Sequence, residues 1–324
     1  MGKTTKHAKH LPSVPDIACL PSGAREVLIS VNPQAGARSG RQLVEDLTPR
    51  LQSAGFTVQI TSDIEQLSQW AAERLRNGSL RAVVAAGGDG TVALVVNRTN
   101  PGVPIVILPL GTENLLAKYL HVTAEPARIC QIIREGAVVQ LDAGQANDRI
   151  FLLMVGCGFD AEVVRRVHQA RTGHIRRLTY AQPILASIRS YQYPELRIHC
   201  GQPESPIRAK WAFAFNLPRY AGGLGLAPWA DGSDGLLDVC AFTRGSLWHG
   251  LRYLLGILLR RHRTWRDCVT LQTEWLKVAS EAPVPYQLDG DFAGYLPVEI
   301  RVLPKRLTLL VPQGWRPGGS AWRP

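Results

Sequence analysis

Between Glu26 and about Leu141, short apolar runs alternate with amphipathic stretches. That alternation constrains the fold more than any other feature of the chain. It is the pattern of βαβ units, in which each crossover helix brings the chain back to begin a parallel strand. Val27 to Val31 reads as a strand, followed by a helix from about Gly40 to Ala54, strand Thr57 to Ile60 and a helix from about Ile64 to Asn77. Strand Ala82 to Ala86 leads to a helix from about Thr91 to Arg98, and strand Val103 to Leu108 to a helix opening near Asn114. After about Gln140 the texture changes to strand-like segments separated by Gly and Pro turns: Phe151–Val155, Leu196–Cys200, Trp211–Asn216, Leu236–Phe242, Trp275–Ala279, Pro285–Leu288, Val298–Val302 and Leu307–Val311. Helices interrupt near Ala161–Ala170, Pro183–Ser190 and Ser246–Arg261. The expected architecture is α/β: a basic disordered tail over 1–24, an open parallel α/β sheet domain over 25–141, and a mainly antiparallel β domain over 142–324.

Three of the early strands end in turns of similar chemistry: Asn32-Pro33-Gln34-Ala35-Gly36, Gly87-Gly88-Asp89-Gly90-Thr91 and Pro109-Leu110-Gly111-Thr112. In open α/β sheets the ligand crevice lies outside the carboxyl ends of the strands, so these turns are placed to converge on one ligand. Glycines at a strand-to-helix turn let a polyphosphate reach the backbone N–H groups. Asp89 repels phosphate but can meet the magnesium that a nucleoside triphosphate carries. The plainer alternative is a tight βα turn in which glycine serves geometry alone. Neither GxGxxG nor GxxxxGK[ST] is present, which argues against a Rossmann dehydrogenase and a Walker-type NTPase.

The 324 residues carry 37 Lys and Arg against 26 Asp and Glu, a net charge of +11 that draws a protein to phosphate or an anionic membrane surface. The charge clusters at Arg165, Arg166, Arg171, Arg176 and Arg177, and again at Arg260, Arg261, Arg263 and Arg266; each cluster also suits a solvated helix face. Neither cluster shows aromatic interleaving of the kind that stacks single-stranded bases, so nucleic acid is not an expected partner. The scattered cysteines at 19, 130, 157, 200, 240 and 268 lack the close pairs of zinc sites and suggest reduced thiols in a cytoplasmic protein. No stretch approaches the roughly twenty apolar residues that span a bilayer. Met1 to His10 has no apolar core after it and does not read as a secretory signal.

The three turns are followed by Gly156-Cys157-Gly158-Phe159-Asp160-Ala161, Asp234-Gly235-Leu236-Leu237-Asp238-Val239 and Leu288-Asp289-Gly290-Asp291. In this order, and with Pro109 to Asn114 as one element, the chain resembles the diacylglycerol kinase catalytic-domain family from about Glu26 to Val311. That family includes bacterial lipid kinases and the sphingosine and ceramide kinases. The resemblance implies an NAD-kinase/diacylglycerol-kinase-like fold and an ATP- and magnesium-dependent kinase acting on the hydroxyl of a diacylglycerol-like or sphingoid-like lipid. It implies an ATP site lined by Asn32, Pro33, Gln34, Ala35, Gly36, Thr61, Gly87, Gly88, Asp89, Gly90, Thr91, Val92, Ala93 and Thr112. It also implies a structural magnesium at Asp231, Asp234 and the carbonyl of Leu236, with Asp142 near it. Asp291 is the favoured proton acceptor, with Asp289 as the close alternative or a metal partner; the family usually has glutamate where this chain has Asp291. Glu113 and Leu115 also depart from the alanine and aspartate common in bacterial members. Asp160 is expected to cap the helix that follows it.

Two other functions fit parts of this pattern. An NAD kinase shares the Gly87 to Thr91 turn and a two-domain plan, though Pro109 to Asn114 and Asp234 to Val239 suit the lipid branch better. A degenerate kinase retained as a nucleotide-dependent regulatory or membrane-binding protein is the other. The segment Ser246 to Trp265 sets apolar residues ahead of Arg260, Arg261 and Arg263. It suits a peripheral helix at the inner membrane surface and equally a buried helix with a basic C-terminal end.

Overall fold

The computed structural model describes residues 15–31, 38–169, 190–201, 205–218, 225–259 and 261–317. Asn32 to Gly36, Ala170, Arg171, Arg176, Arg177, positions 183–189, Arg260 and the first fourteen residues of the expected tail lie outside them. The chain runs β1 (Ile17–Cys19), β2 (Glu26–Val31), α1 (Arg38–Ser53), β3 (Thr57–Thr61), α2 (Ile64–Arg76), β4 (Leu80–Gly87), α3 (Asp89–Arg98), β5 (Pro104–Pro109), α4 (Leu115–Tyr119), α5 (Pro126–Glu135) and β6 (Ala137–Ala146). It continues with β7 (Arg149–Phe151), β8 (Met154–Cys157), α6 (Phe159–Gln169), β9 (Leu196–His199), β10 (Ile207–Ala209), β11 (Trp211–Phe215) and β12 (Leu237–Phe242). The remainder is α7 (Leu247–Leu258), β13 (Cys268–Thr273), β14 (Trp275–Ala279), β15 (Pro285–Leu288), β16 (Asp291–Tyr295) and β17 (Val298–Leu310).

Strands β5, β4, β2 and β3 lie side by side and parallel. Every residue of β4 is buried, as a strand covered on both faces requires. Local chemistry sets the helix ends. Asp63 caps α2 by accepting from the N–H groups of Glu65 and Gln66. Pro126 opens α5, and Gly136, at φ 69°, closes it in the left-handed region.

An 11-stranded sheet continues the parallel strands through β17 into β14, β9 and β10, while β6 pairs with β17 and carries β1 and β7. The second sheet is antiparallel, in the order β13-β12-β11-β8-β15-β16. The architecture is an α/β parallel-sheet domain with an antiparallel β-sandwich domain. Among the described residues no helix is long and apolar enough to cross a membrane.

The structure differs from the sequence reading at several points. Part of the expected 1–24 tail, Ile17–Cys19, is a strand, because its backbone pairs with Ala137 to Val139 of β6. The strand expected over Phe151–Val155 is broken into β7 and β8, since the amides of Leu152 and Leu153 turn to a distant carboxylate, that of Asp289. The two strands expected over 298–302 and 307–311 form one, β17, with a register shift between Leu303 and Leu307. Lys305 there adopts φ 52° and its N–H donates to Asp142 Oδ1 at 2.7 Å, which fixes the bulge.

Candidate active site

The glycine turn follows β4 and leads straight into α3. A Cβ on Gly87 would fall 2.1 Å from Thr91 Oγ1, so the buried threonine closes over its backbone and only glycine fits. A Cβ on Gly111 would fall 2.6 Å from the Cα of Gly88, so the two turns touch backbone to backbone. Leu110 N–H donates to the Gly87 carbonyl at 2.9 Å. Asn114, at φ 48°, holds the second turn by accepting from Gly111 N–H and donating to Gly111 O. These contacts set the exposed Gly111 and Thr112 beside the positive end of α3, where an anion is stabilised.

Asp89 ties the turns together. Its Oδ2 accepts from Leu115 N–H at 2.8 Å and its Oδ1 from Leu116 N–H at 3.0 Å, capping the short α4 from outside. Burial raises its pKa, and these two amides together with Lys118 work against that rise. Val92 faces the core and Ala93 packs partly against it, so the structure shows core packing for both rather than a contact in the crevice. Thr61 is committed elsewhere: its hydroxyl donates to Gln66 Oε1 at 2.7 Å and accepts from Asp63 N–H at 3.0 Å.

The turn between β15 and β16 faces the glycine turn. Asp289 adopts φ 52°, and its carboxylate accepts from the N–H groups of Leu152, Leu153 and Met154 at 2.7, 2.7 and 2.9 Å. Desolvation pushes its carboxyl up to about 6 against those amides, and the charge of Asp89 adds to the rise. Asp291 is exposed, and the Cβ position of Gly90 lies 3.6 Å from its Oδ2. The two aspartates therefore divide their work: Asp289 holds the backbone of the β7–β8 junction, and Asp291 presents a carboxylate at the start of α3.

Sequence reasoning missed Gln287, which is fully buried before this turn. Its Oε1 accepts from Gly290 N–H at 2.7 Å, and its Nε2 donates to Asp160 Oδ2 at 3.0 Å. A glutamine in an otherwise largely apolar short strand, two residues before Asp289-Gly290-Asp291, was the available signal. Asp160 lies inside the first turn of α6 rather than at its cap, and it braces Gln287.

A second acidic corner lies between β6 and β12. Asp231 Oδ1 accepts from Ser233 N–H and Oγ–H, and Asp234 Oδ1 accepts from Leu236 N–H. Asp142 accepts from Gly235 N–H and Lys305 N–H. Desolvation, reinforced by Asp231 and Asp142, pushes Asp234 up to about 6. Asp238 rises to about 7 through desolvation and the charge of Asp234, and among the described residues its buried Oδ2 has no hydrogen-bond partner. Among the described residues no three His, Cys, Asp or Glu side chains form a ready metal cluster. Crowded hard oxygens with an orphaned carboxylate atom nevertheless suit a divalent cation completed by a carbonyl and water.

The sequence profile described as "Diacylglycerol kinase catalytic domain" matches residues 26–146, and that described as "YegS C-terminal NAD kinase beta sandwich-like domain" matches 153–311. A diacylglycerol kinase of Mycobacterium tuberculosis is 28% identical, covering 89% of this chain and 96% of its own. One from Bacillus subtilis is 23% identical over 88% and 96%. An uncharacterized protein of Synechocystis is 27% identical over 71% of this chain, which spans only 54% of that relative. A crystal structure described as a diacylglycerol kinase from Bacillus anthracis superposes with a TM-score of 0.64 at 18% identity, covering 89% of this chain and 97% of its own; at that identity the likeness is one of fold.

Proposed function

The chain belongs to the diacylglycerol kinase catalytic-domain family, with a YegS-type C-terminal domain, and from that premise we propose that it is an ATP- and magnesium-dependent kinase that phosphorylates a lipid hydroxyl, diacylglycerol-like or sphingoid-like. The observation that carries this reading is the Asp291 carboxylate beside Gly90 at the start of α3, where a proton acceptor and a phosphate cradle meet.

In the proposed reaction the α3 N-terminus and the turns at 87–91 and 109–114 hold the ATP phosphates. The lipid hydroxyl approaches from the 142–324 half. Asp291 orients that hydroxyl and accepts its proton as its oxygen forms the new P–O bond and ADP leaves in line. Asp289 keeps the turn in place through Leu152 to Met154 and is a positioning residue. Asp89, already held by two amides, would be the residue of this turn to hold the magnesium accompanying ATP, which would supply neutralisation of the phosphate charge. Asp231, Asp234 and the Leu236 carbonyl would hold a second, structural ion.

Incubation with radiolabelled ATP, a lipid panel and NAD tests this assignment. Labelled lipid that disappears in Asp291→Asn and Asp89→Ala supports it. No labelled lipid removes it, and labelled NADP in its place would assign an NAD kinase.

A further inference from the structure

Helix α7 carries an outward face that does not belong on a helix surrounded by water alone. Trp248, Leu255 and Leu259 at its end are 77%, 55% and 58% exposed. With the exposed Arg252 they fall at i, i+4, i+7 and i+11, one stripe along the helix. The opposite face fixes the helix in this orientation. Tyr253 is 1% exposed, a Cβ on Gly250 would lie 2.9 Å from Tyr193 Oη, and one on Gly256 would lie 2.2 Å from Trp265. Rotating α7 to bury the stripe would break that packing.

Beside the stripe opens a cavity of about 560 Å³ whose wall includes Arg244, His249, Arg252 and Arg266. Its one acid, Asp267, pairs with Arg252 and accepts from the Tyr253 hydroxyl. Arg252 also stacks 4.4 Å from the centroid of the Trp265 ring, which holds its guanidinium at the cavity edge. Arg244 and Arg266 are exposed and make no ion pair with a described residue. Among the described residues the cavity lining is therefore net positive and presents two guanidinium groups, those of Arg244 and Arg266, without an ion-pair partner. It lies where α7 connects the Phe242 end of β12 to Cys268 of β13. That is the end of the antiparallel sheet opposite the Asp289–Asp291 turn, because Leu288 pairs with Val155 and Val155 with Ala214, one register step from Phe215 at the other end of β11.

We propose that α7 and this cavity form a docking surface for an anionic lipid bilayer, separate from the phosphoryl-transfer site. Trp248, Leu255 and Leu259 enter the interfacial layer, and Arg244 and Arg266 receive a lipid headgroup phosphate. Charge selects the occupant. An apolar stripe flanked by arginines is the composition of a helix lying in an anionic membrane surface, and the chain's net charge of +11 acts in the same sense. The inference stands independently of the kinase reading, since docking needs neither ATP nor a reactive hydroxyl.

Sedimentation of the full chain with phosphatidylcholine vesicles, with and without phosphatidylglycerol, tests it. Binding is expected only with phosphatidylglycerol and is expected to weaken with salt. At about five-fold per arginine, Arg244→Gln with Arg266→Gln lowers vesicle affinity about 25-fold. Trp248→Ala lowers it about ten-fold, the effect of withdrawing part of one indole from an apolar interface. Both variants change exposed side chains and are expected to keep the parent melting temperature. No vesicle binding, equal binding to pure phosphatidylcholine, or variants that bind like the parent would overturn the proposal. Phosphate binding to the cavity with Trp248→Ala still bound to vesicles would make it a free-anion site instead. Concentration-dependent self-association lost in Trp248→Ala, without vesicle binding, would assign the stripe to a second copy of the chain.

Discussion

Two acidic corners of this molecule use carboxylates in opposite ways. At the crevice, Asp89 accepts from two backbone amides and Asp289 from three, so each carboxylate fixes the course of a chain segment that has no regular partner of its own. At the 231–238 corner, Asp142 is satisfied by amides, but it shares the space with Asp231, Asp234 and Asp238, and among the described residues one Asp238 oxygen has no partner. The first arrangement exchanges charge for geometry: donors compensate the desolvation, and the backbone is held in one course. The second keeps like charges together and is relieved only by a proton or a cation.

The largest expected effect separates the two aspartates of the crevice turn. Asp291→Asn is expected to lower kcat about 1,000-fold, the scale of a lost general base, while its unfolding free energy stays within about 0.5 kcal/mol of the parent, as for other exposed positions. Asp289→Asn is expected to cost about 3 kcal/mol in urea unfolding, because its amide group turns an N–H towards a backbone donor and leaves amides unpaired. Equal activity loss with equal stability in both variants would show that Asp289 does more than clamp.

The next effect belongs to the other corner and to pH. Asp234 and Asp238 titrate near 6 and near 7 in the folded chain, against an ordinary aspartate value of about 4. Between those limits the folded chain holds protons that the unfolded chain has released, so stability falls as pH rises. Asp289, raised to about 6, acts in the same direction. In chelator, the melting temperature is expected to drop by about 4 °C from pH 5 to pH 8. Magnesium should flatten that slope by competing with the protons, and Asp238→Asn should remove much of it. A slope unchanged by magnesium would mean that the corner holds no cation.

The contrast also explains what the sequence could reveal. The parallel strands were legible because alternation and strand-end turns are local, and so was the tight turn after β15, because Asp289 and Asp291 stand together in the chain. The roles of the carboxylates were not. Asp289 breaks the expected 151–155 strand from more than a hundred residues away, and no local pattern reports that bond. Asp142 has the opposite effect from a similar distance: the Pro304-Lys305-Arg306 interruption reads as a gap between two strands, and the Asp142 carboxylate holds it as a bulge within β17. Helix α5 is a different kind of omission: Pro126 and Gly136 mark both its ends in the sequence. Strand β6 after it is buried at most positions and shows no clean alternation.

The smallest expected effect tests where the crevice ends. Thr61 belongs to the nucleotide-lining set that the family resemblance implies, yet its hydroxyl is engaged by Gln66 and Asp63 at the start of α2. If those bonds are its whole role, Thr61→Val costs about 1 kcal/mol of stability, the worth of a local hydrogen bond, and leaves KM for ATP unchanged. If the hydroxyl turns to phosphate when nucleotide binds, KM rises several-fold while the unbound protein loses the same stability. Thr61→Ser separates the cases further, because it keeps the hydroxyl and removes only the methyl group: it should restore KM in the second case and change little in the first. A rise in KM for Val that Ser reverses would extend the phosphate site to the end of β3. An unchanged KM would leave Thr61 as a brace for the β3–α2 turn, outside the amide-fixed crevice that Asp89 and Asp289 define.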